Sequence, residues 1–360
     1  MKQISILLAS LFGVLLLTTS CNDEWKEEQY EHFVSFKAPL NDGGVSAVYV
    51  PYTRHNDDGE ATFGEHGLSN YLLPVIVSGT TTNGANFTVG VEESDTLTIL
   101  NYERFQNRSD LYYVNMSQYA TYPSTVEFKA GQDVSLLDIR FNFKGIDMSQ
   151  KWVLPIRVAD NASNGFAPHP RKHYAQAMLR VYPYNDFSGS YSATTQTMAR
   201  WYTEVDKQGK ETRKEGDFAG GETSRGYVVD ENTIFFYAGN NIDETRTDRK
   251  NYKIYAEFQP EPLNPSVGNV RLYSDNPDMK FVGHEQDESK TQPTFSIYEQ
   301  KDDVQPYLIH RYLIISDIDY DFTDYTLVPG QERNYVVRGT LTMERKINTQ
   351  IPNEDQAIEW

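Results

Sequence analysis

The sequence predicts an all-β protein of two modules, a two-sheet sandwich followed by an up-and-down barrel. Three observations predict it. Aromatic residues suited to strands are abundant, with 25 Tyr and 18 Phe among 360 residues. Apolar and polar residues alternate with period two along the whole chain, and no sustained helical period competes with that pattern. Clusters of Gly, Asn, Asp and Pro interrupt the alternation at short intervals, as turns require.

In chain order, Met1-Lys2-Gln3 carries one positive charge and Ile4–Leu17 is uncharged and apolar. That run is shorter than the roughly 20 residues a membrane-spanning helix needs, so residues 1–20 read as a signal peptide. Thr18-Thr19-Ser20 then leads to Cys21, the single cysteine of the chain, and residues 21–31 form an acidic tether. A secreted chain uses cysteines in pairs, so a solitary one at this boundary has another purpose.

From 32 to 184 the strands expected are "FVSFKA", "SAVYVPY", "YLLPVIVSG", "NFTVGVEE", "STVEFKAG", "VSLLDIRFNF", "WVLPIRVAD" and "AQAMLRVYPY". Short strands at this spacing fit an immunoglobulin-like sandwich. "PYNDFSGSY" marks a boundary, and 185–360 adds "GSYSATTQTMARWYTEV", "RGYVVDENTIFFYAG", "NYKIYAEFQP", "NVRLYS", "MKFVGHE", "TFSIYEQ", "YLIHRYLIISDIDYDF" and "NYVVRGTLTMERK". Strands in sequential order without long crossovers fit a lipocalin-like up-and-down barrel. Ile358 and Trp360 are expected to fold back onto the barrel.

Charge excludes one class of partner. With 33 Lys+Arg against 51 Asp+Glu, the net charge is -18, which repels a phosphate backbone and argues against nucleic acid.

"LLLTTSC" resembles a bacterial lipobox, in which the cysteine is acylated, and Asn22-Asp23-Glu24-Trp25-Lys26-Glu27-Glu28 resembles the surface-export signal of Bacteroidetes lipoproteins. Together with "HFVSFKAP", "VEFKAGQDVSLLDIRFNF", "NDFSGSY" and the final "VVRGTLTMERKINTQIPNEDQAIEW", the pattern is similar to surface lipoproteins from polysaccharide-utilisation loci that pair domain-of-unknown-function families 1735 (N-terminal) and 4361 (C-terminal). The resemblance implies lipidation at Cys21, an outer-membrane location facing the exterior, and capture of oligosaccharide for a partner outer-membrane transporter and its lid lipoprotein. It supplies no catalytic residues.

The acidic stretch "SDIDYDFTDY" invites sharper readings. A chitinase-like signature would end in an essential Glu, where Thr323 stands. A helix-loop-helix calcium loop would need Gly and Glu where Phe322 and Val328 stand, although a looser carboxylate site remains open. Period two instead puts Asp317, Asp319 and Asp321 on a wet face and Ile318, Tyr320 and Phe322 in the core. The pair His169 and His173 in "HPRKH" reads as surface histidines. No catalytic residue, metal centre or cofactor is assigned.

Sugar rings pack their C–H faces on aromatic side chains while amides and acids bind the hydroxyls. Trp201 and Tyr202 in "MARWYTEV" and Tyr237 in "IFFYAGNN" are the candidate ligand contacts. Two alternatives stay open: a structural or adhesin-type subunit of a surface complex, and a glycoside hydrolase of unrecognised type built on a cross-strand carboxylate pair.

Overall fold

The computed structural model describes residues 32–79, 81–160 and 166–360. The expected signal peptide, Cys21 and the expected tether lie outside the described residues. Among the described residues, no helix is long and apolar enough to cross a membrane.

The chain opens with β1 (Phe33–Phe36), β2 (Ser46–Pro51), β3 (Leu68–Ser78), β4 (Phe87–Glu93), β5 (Tyr113–Asn115), β6 (Ala120–Thr121), β7 (Thr125–Phe128), β8 (Val134–Asn142), β9 (Lys151–Val158), β10 (Ala167–Pro168) and β11 (Gln176–Tyr184). These form two sheets, ordered β10-β1-β3-β8-β6 and β2-β11-β9-β4-β7, with β5 beside β9. Alternation drives the sandwich: Leu73, Val75 and Val77 of β3 and Leu137, Ile139 and Phe141 of β8 are buried, whereas Leu72 and Leu136 on the opposite face are exposed. A short helix, α1 (Leu97–Phe105), was not expected. It is anchored by one polar residue, since Asn101 donates to the Tyr113 carbonyl at 2.9 Å and accepts from the Tyr113 amide at 2.7 Å.

The second module contains β12 (Gly189–Ser192), β13 (Thr197–Val205), β14 (Glu211–Glu215), β15 (Ala219–Gly220), β16 (Thr223–Val228), β17 (Thr233–Tyr237), β18 (Lys253–Glu261), β19 (Asn264–Tyr273), β20 (Thr294–Lys301), β21 (Leu308–Val328), β22 (Gln331–Asn348) and β23 (Ile358–Glu359). The order β12-β16-β17-β18-β19-β20-β21-β22 is antiparallel throughout, and pairing of β12 with β22 closes the ring at Tyr191↔Met343. The topology is therefore an up-and-down barrel, but its inside is solid. Phe187 stacks on Phe258 at 4.0 Å, Phe295 packs edge-on against both, and Tyr191, Ile254, Val270 and Ile315 are buried with them.

Three expected strands differ, the first being "RGYVVDENTIFFYAG", which folds as the β16–β17 hairpin. "GSYSATTQTMARWYTEV" breaks into β12 and β13 at residues 193–196, so the β13–β14 hairpin leaves the ring and pairs with the outer half of β22. "MKFVGHE" starts on the last residue of a 3-10 turn, Pro277–Met279, and otherwise holds only an isolated bridge, Val282↔Asp321. The long β21–β22 ribbon bends between barrel and hairpin, at a bulge between Ile315 and Ile318 and at Gly339. Gly339 has φ +133, and a Cβ there would sit 2.1 Å from the Thr195 carbonyl, so only glycine fits the bend.

The acidic stretch on β21 is not a wet edge. Asp321 is 6% exposed, paired with Arg213 of β14 and with Lys290 at 3.1 Å, while Asp319 also meets Lys290, at 3.0 Å. Period two found the face correctly, but the hairpin and the 283–290 loop cover it with cations distant in sequence. Asp324, off that period, is fully buried and grips Arg246 through two bonds of 2.7 and 2.9 Å while accepting from Tyr252 at 2.9 Å. Burial alone would raise this carboxyl; the Arg246 and Tyr252 bonds outweigh it and hold the pKa at about 2.

Asp324→Asn is expected to cost about 3 kcal/mol in chemical denaturation, because it removes one partner of a buried pair. The unfolded carboxyl titrates near ~3.9 and the folded one at about 2. Its stabilisation is complete above the unfolded value and is lost as pH falls toward the folded one. Melting temperatures recorded through that window should fall more steeply for the parent chain than for the variant.

Candidate functional site: an aromatic groove at the module junction

The two modules share one hydrophobic core. Every residue of β17 is buried, because Ile234 faces the barrel interior while Phe235 and Tyr237 pack against Tyr227 toward the sandwich. Polar clamps flank this contact. Lys253 meets Asp147 at 2.7 Å, and the buried Arg249 donates to the Ser149 carbonyl at 3.0 Å.

A groove runs along the seam, and strand geometry builds it. β2 and β11 pair in parallel with Tyr49 opposite Tyr182. Period two places Arg180, Tyr182 and Tyr184 on the face of β11 turned toward the barrel. Tyr49 stacks on Tyr182 at 5.3 Å, and Trp360 lies flat on Tyr49 at 4.3 Å with an interplanar angle of 4°. From the barrel side, Arg225 of β16 sets its guanidinium 4.5 Å from the Tyr182 ring centre. Tyr49, Tyr182, Tyr184, Arg225 and Trp360 thus line a hollow of about 100 Å³. Trp360 keeps 44% of its surface exposed at the rim, held there by β23 pairing with β22.

Tyr182 and Tyr227 also wall a smaller, water-sized hollow with Lys151, Arg180, Tyr237, Glu244 and Arg249. Glu244 accepts from the Tyr227 hydroxyl and lies 3.3 Å from Arg180. Burial opposes its ionisation, but the Tyr227 bond and the charges of Arg180, Arg225 and Lys151 prevail and hold its carboxyl below the usual range. Burial raises the Tyr182 phenol to about 12 and pushes Tyr227 and Tyr237 up as well, so these hydroxyls stay protonated donors at neutral pH. Among the described residues lining the two hollows, Glu244 is the only Asp or Glu. The groove therefore offers aromatic faces and a guanidinium, with the Glu244 carboxylate ionised in the adjoining hollow and the Asp355 carboxylate accepting from the Tyr184 hydroxyl at 2.8 Å.

Of the three sequence-predicted contacts, Tyr237 lines the seam, buried to 6% exposure. Trp201 and Tyr202 lie on β13, outside the groove lining. Trp201 stacks under Arg213, whose guanidinium is 4.5 Å from the ring centre, and its indole N–H is buried without a hydrogen-bond partner. Tyr202 points the other way and is 59% exposed. Tyr49, Tyr182, Tyr184 and Arg225 were missed, although the alternating Arg180, Tyr182 and Tyr184 of "RVYPY" carried the signal of an aromatic face. Ile358 and Trp360 were expected to fold back onto the barrel; Ile358 does so, opposite Ile347 of β22, while the Trp360 ring reaches across the seam to stack on Tyr49 of the sandwich.

Comparison with known proteins gives the groove a context. Residues 25–162 match the model of a domain of unknown function (DUF4973), and residues 175–342 match a model of a C-terminal domain. A crystal structure described as an auxiliary nutrient binding protein from Bacteroides thetaiotaomicron is 45% identical, with a TM-score of 0.79, covering 92% of this chain and all (100%) of that one. A Bacteroides ovatus multidomain protein including DUF1735 is 38% identical, with a TM-score of 0.73, covering 91% of this chain and 100% of that one. The chain belongs to this family of two-module Bacteroides proteins. A third member, a Bacteroides ovatus protein of unknown function, is 31% identical with a TM-score of 0.70, over 93% of this chain and 97% of that one. None of the three descriptions is enzymatic. Family number 1735, expected for the N-terminal module, belongs to the second relative, whereas the model matched here is 4973. No protein among those with curated descriptions matches the chain.

Tyr227→Phe deletes the donor to Glu244 and should lower stability by about 1.5 kcal/mol, the size of a hydrogen bond to a charged group. The Glu244 carboxyl should titrate at higher pH in the variant, followed by carbon-detected NMR.

Proposed function

We propose that this protein is a lipid-anchored, cell-surface nutrient-binding protein that captures oligosaccharide in the junction groove. In this reading Cys21 carries the lipid on the outer membrane, and the bound glycan passes to an outer-membrane transporter with its lid lipoprotein. The observation that carries the proposal is the groove itself. Tyr49, Tyr182, Tyr184 and Trp360 stand together with Arg225 in a member of a family that includes a protein described as nutrient binding.

The chemistry fits a neutral or weakly charged sugar chain. Aromatic faces accept the C–H faces of pyranose rings, while phenol hydroxyls, guanidinium groups and the Glu244 carboxylate satisfy hydroxyl groups. A hollow of about 100 Å³ is smaller than the roughly 300–1,000 Å³ that encloses a drug-sized ligand. It grips one face of a sugar unit and leaves the rest of the chain outside. Tethering compensates for the modest affinity, because a surface-held ligand meets its next binding partner at high effective concentration.

Trp360→Ala should weaken retention of the best ligand in a glycan panel by about tenfold, read by calorimetry, with thermal stability monitored alongside. Trp201→Ala should leave retention unchanged. The reverse pattern would move the site to the β13–β14 hairpin, and new reducing ends during incubation would replace capture with hydrolysis. Cys21→Ala should shift the protein from the membrane fraction to the soluble one.

A further inference from the structure

We infer a transition-metal site that bridges the two modules through His55, His66 and Glu231. His55 and His66 lie on the excursion between β2 and β3, in the sandwich, and Glu231 sits at the tip of the β16–β17 hairpin, in the barrel. The carboxylate faces both rings. One oxygen is 3.4 Å from Nε2 of His55 and the other is 3.4 Å from Nδ1 of His66. All three donor atoms lie within 4.8 Å of one another.

These separations suit one small cation. Tetrahedral zinc with bonds of roughly 2.0–2.1 Å holds its ligand atoms about 3.3 Å apart. Each imidazole nitrogen already stands about that far, 3.4 Å, from one of the two Glu231 carboxylate oxygens, and rotation of the exposed imidazoles brings both nitrogens onto one ion. Two neutral imidazoles and a carboxylate favour zinc, nickel or copper over calcium or magnesium, which take all-oxygen shells. Three protein ligands leave a fourth position for water.

The carboxylate is held in place before any ion arrives. Thr53 donates its hydroxyl to Glu231 at 2.6 Å, and that hydroxyl oxygen accepts from the Gly67 amide at 2.9 Å. Gly67 has φ +79, a conformation that glycine takes without strain, and it immediately follows His66. Asn185 fixes the hairpin tip through the Asp230 and Glu231 carbonyls, at 2.8 and 3.2 Å. Such outer-shell bonds orient a metal ligand and conserve its rotamer. The excursion carrying the histidines is tied down as well, since His55 bridges Ala61 and the Arg54 amide donates to the Leu68 carbonyl at 3.0 Å.

The full mature chain, stripped with EDTA and dialysed, should bind one zinc ion per molecule in calorimetric titration, and zinc should raise its melting temperature. His55→Ala and His66→Ala remove exposed side chains, so folding is not at stake, and each should lower zinc affinity at least tenfold and remove the thermal shift. His173→Ala, at an exposed histidine elsewhere, should change neither. Absence of saturable zinc binding by the parent chain, or unchanged binding by the His55→Ala/His66→Ala double variant, would overturn the site. Loss of binding in His173→Ala alone would do the same.

Discussion

Burial of β17 on both faces is the constraint on which the molecule depends. Strands of an isolated barrel turn one face to water, yet the pattern of Thr233–Tyr237 has no wet side. Ile234 and Phe236 complete the barrel interior, while Phe235 and Tyr237 need the sandwich to cover them. Each large side chain so covered is worth roughly 1.5–3 kcal/mol relative to exposure. The sandwich therefore supplies part of the barrel's own core, and the seam between them is as fixed as either interior. A groove on such a seam keeps its shape without a ligand, which spares a binding event the entropy of ordering its walls.

The same reasoning explains the buried charges of β21. A carboxylate loses several kcal/mol of hydration on burial, and only strong, well-aimed partners offset it. Asp324 has a bidentate guanidinium, a phenol and a backbone amide; Asp321 has Arg213 and Lys290. These pairs contribute less net stability than an apolar core would, but they fix position. Arg213 is drawn from the β13–β14 hairpin onto β21, and Arg246 ties the loop before β18 to the far end of the ribbon. The hairpin, which leaves the barrel wall, is thereby locked in one orientation, with Trp201 stacked beneath Arg213.

Most of the fold was legible in the sequence because period two is a local signal. Tyr252, Ile254, Ala256 and Phe258 announced a barrel strand from within one short window, and the structure buries all four. What was not legible depends on partners far along the chain. Asp321 looked wet because Arg213 and Lys290 are distant in sequence. Helix α1 turns on a single asparagine that serves both backbone groups of the distant Tyr113, and so short an element leaves no periodic trace. The groove was half readable. Tyr182 and Tyr184 share a strand face, but their meeting with Tyr49, Arg225 and Trp360 is a product of β2–β11 pairing and of the tail's return.

The solid barrel bears directly on how a ligand could be held. In a lipocalin-type cup the strands enclose the ligand, and affinity comes from burying most of its surface. Here Phe187, Phe258 and Phe295 occupy that space, so no guest enters without dismantling a core of stacked rings. Recognition is left to outer surfaces, and concave aromatic surface occurs where the modules meet. If the groove holds a glycan as proposed, it discriminates little among chain lengths, since sugar units beyond the contact stay in solvent. On the proposed reading that is an advantage: a protein that samples long glycans at the cell surface needs a grip on any internal segment and a release fast enough to pass it on, and partial enclosure supplies both.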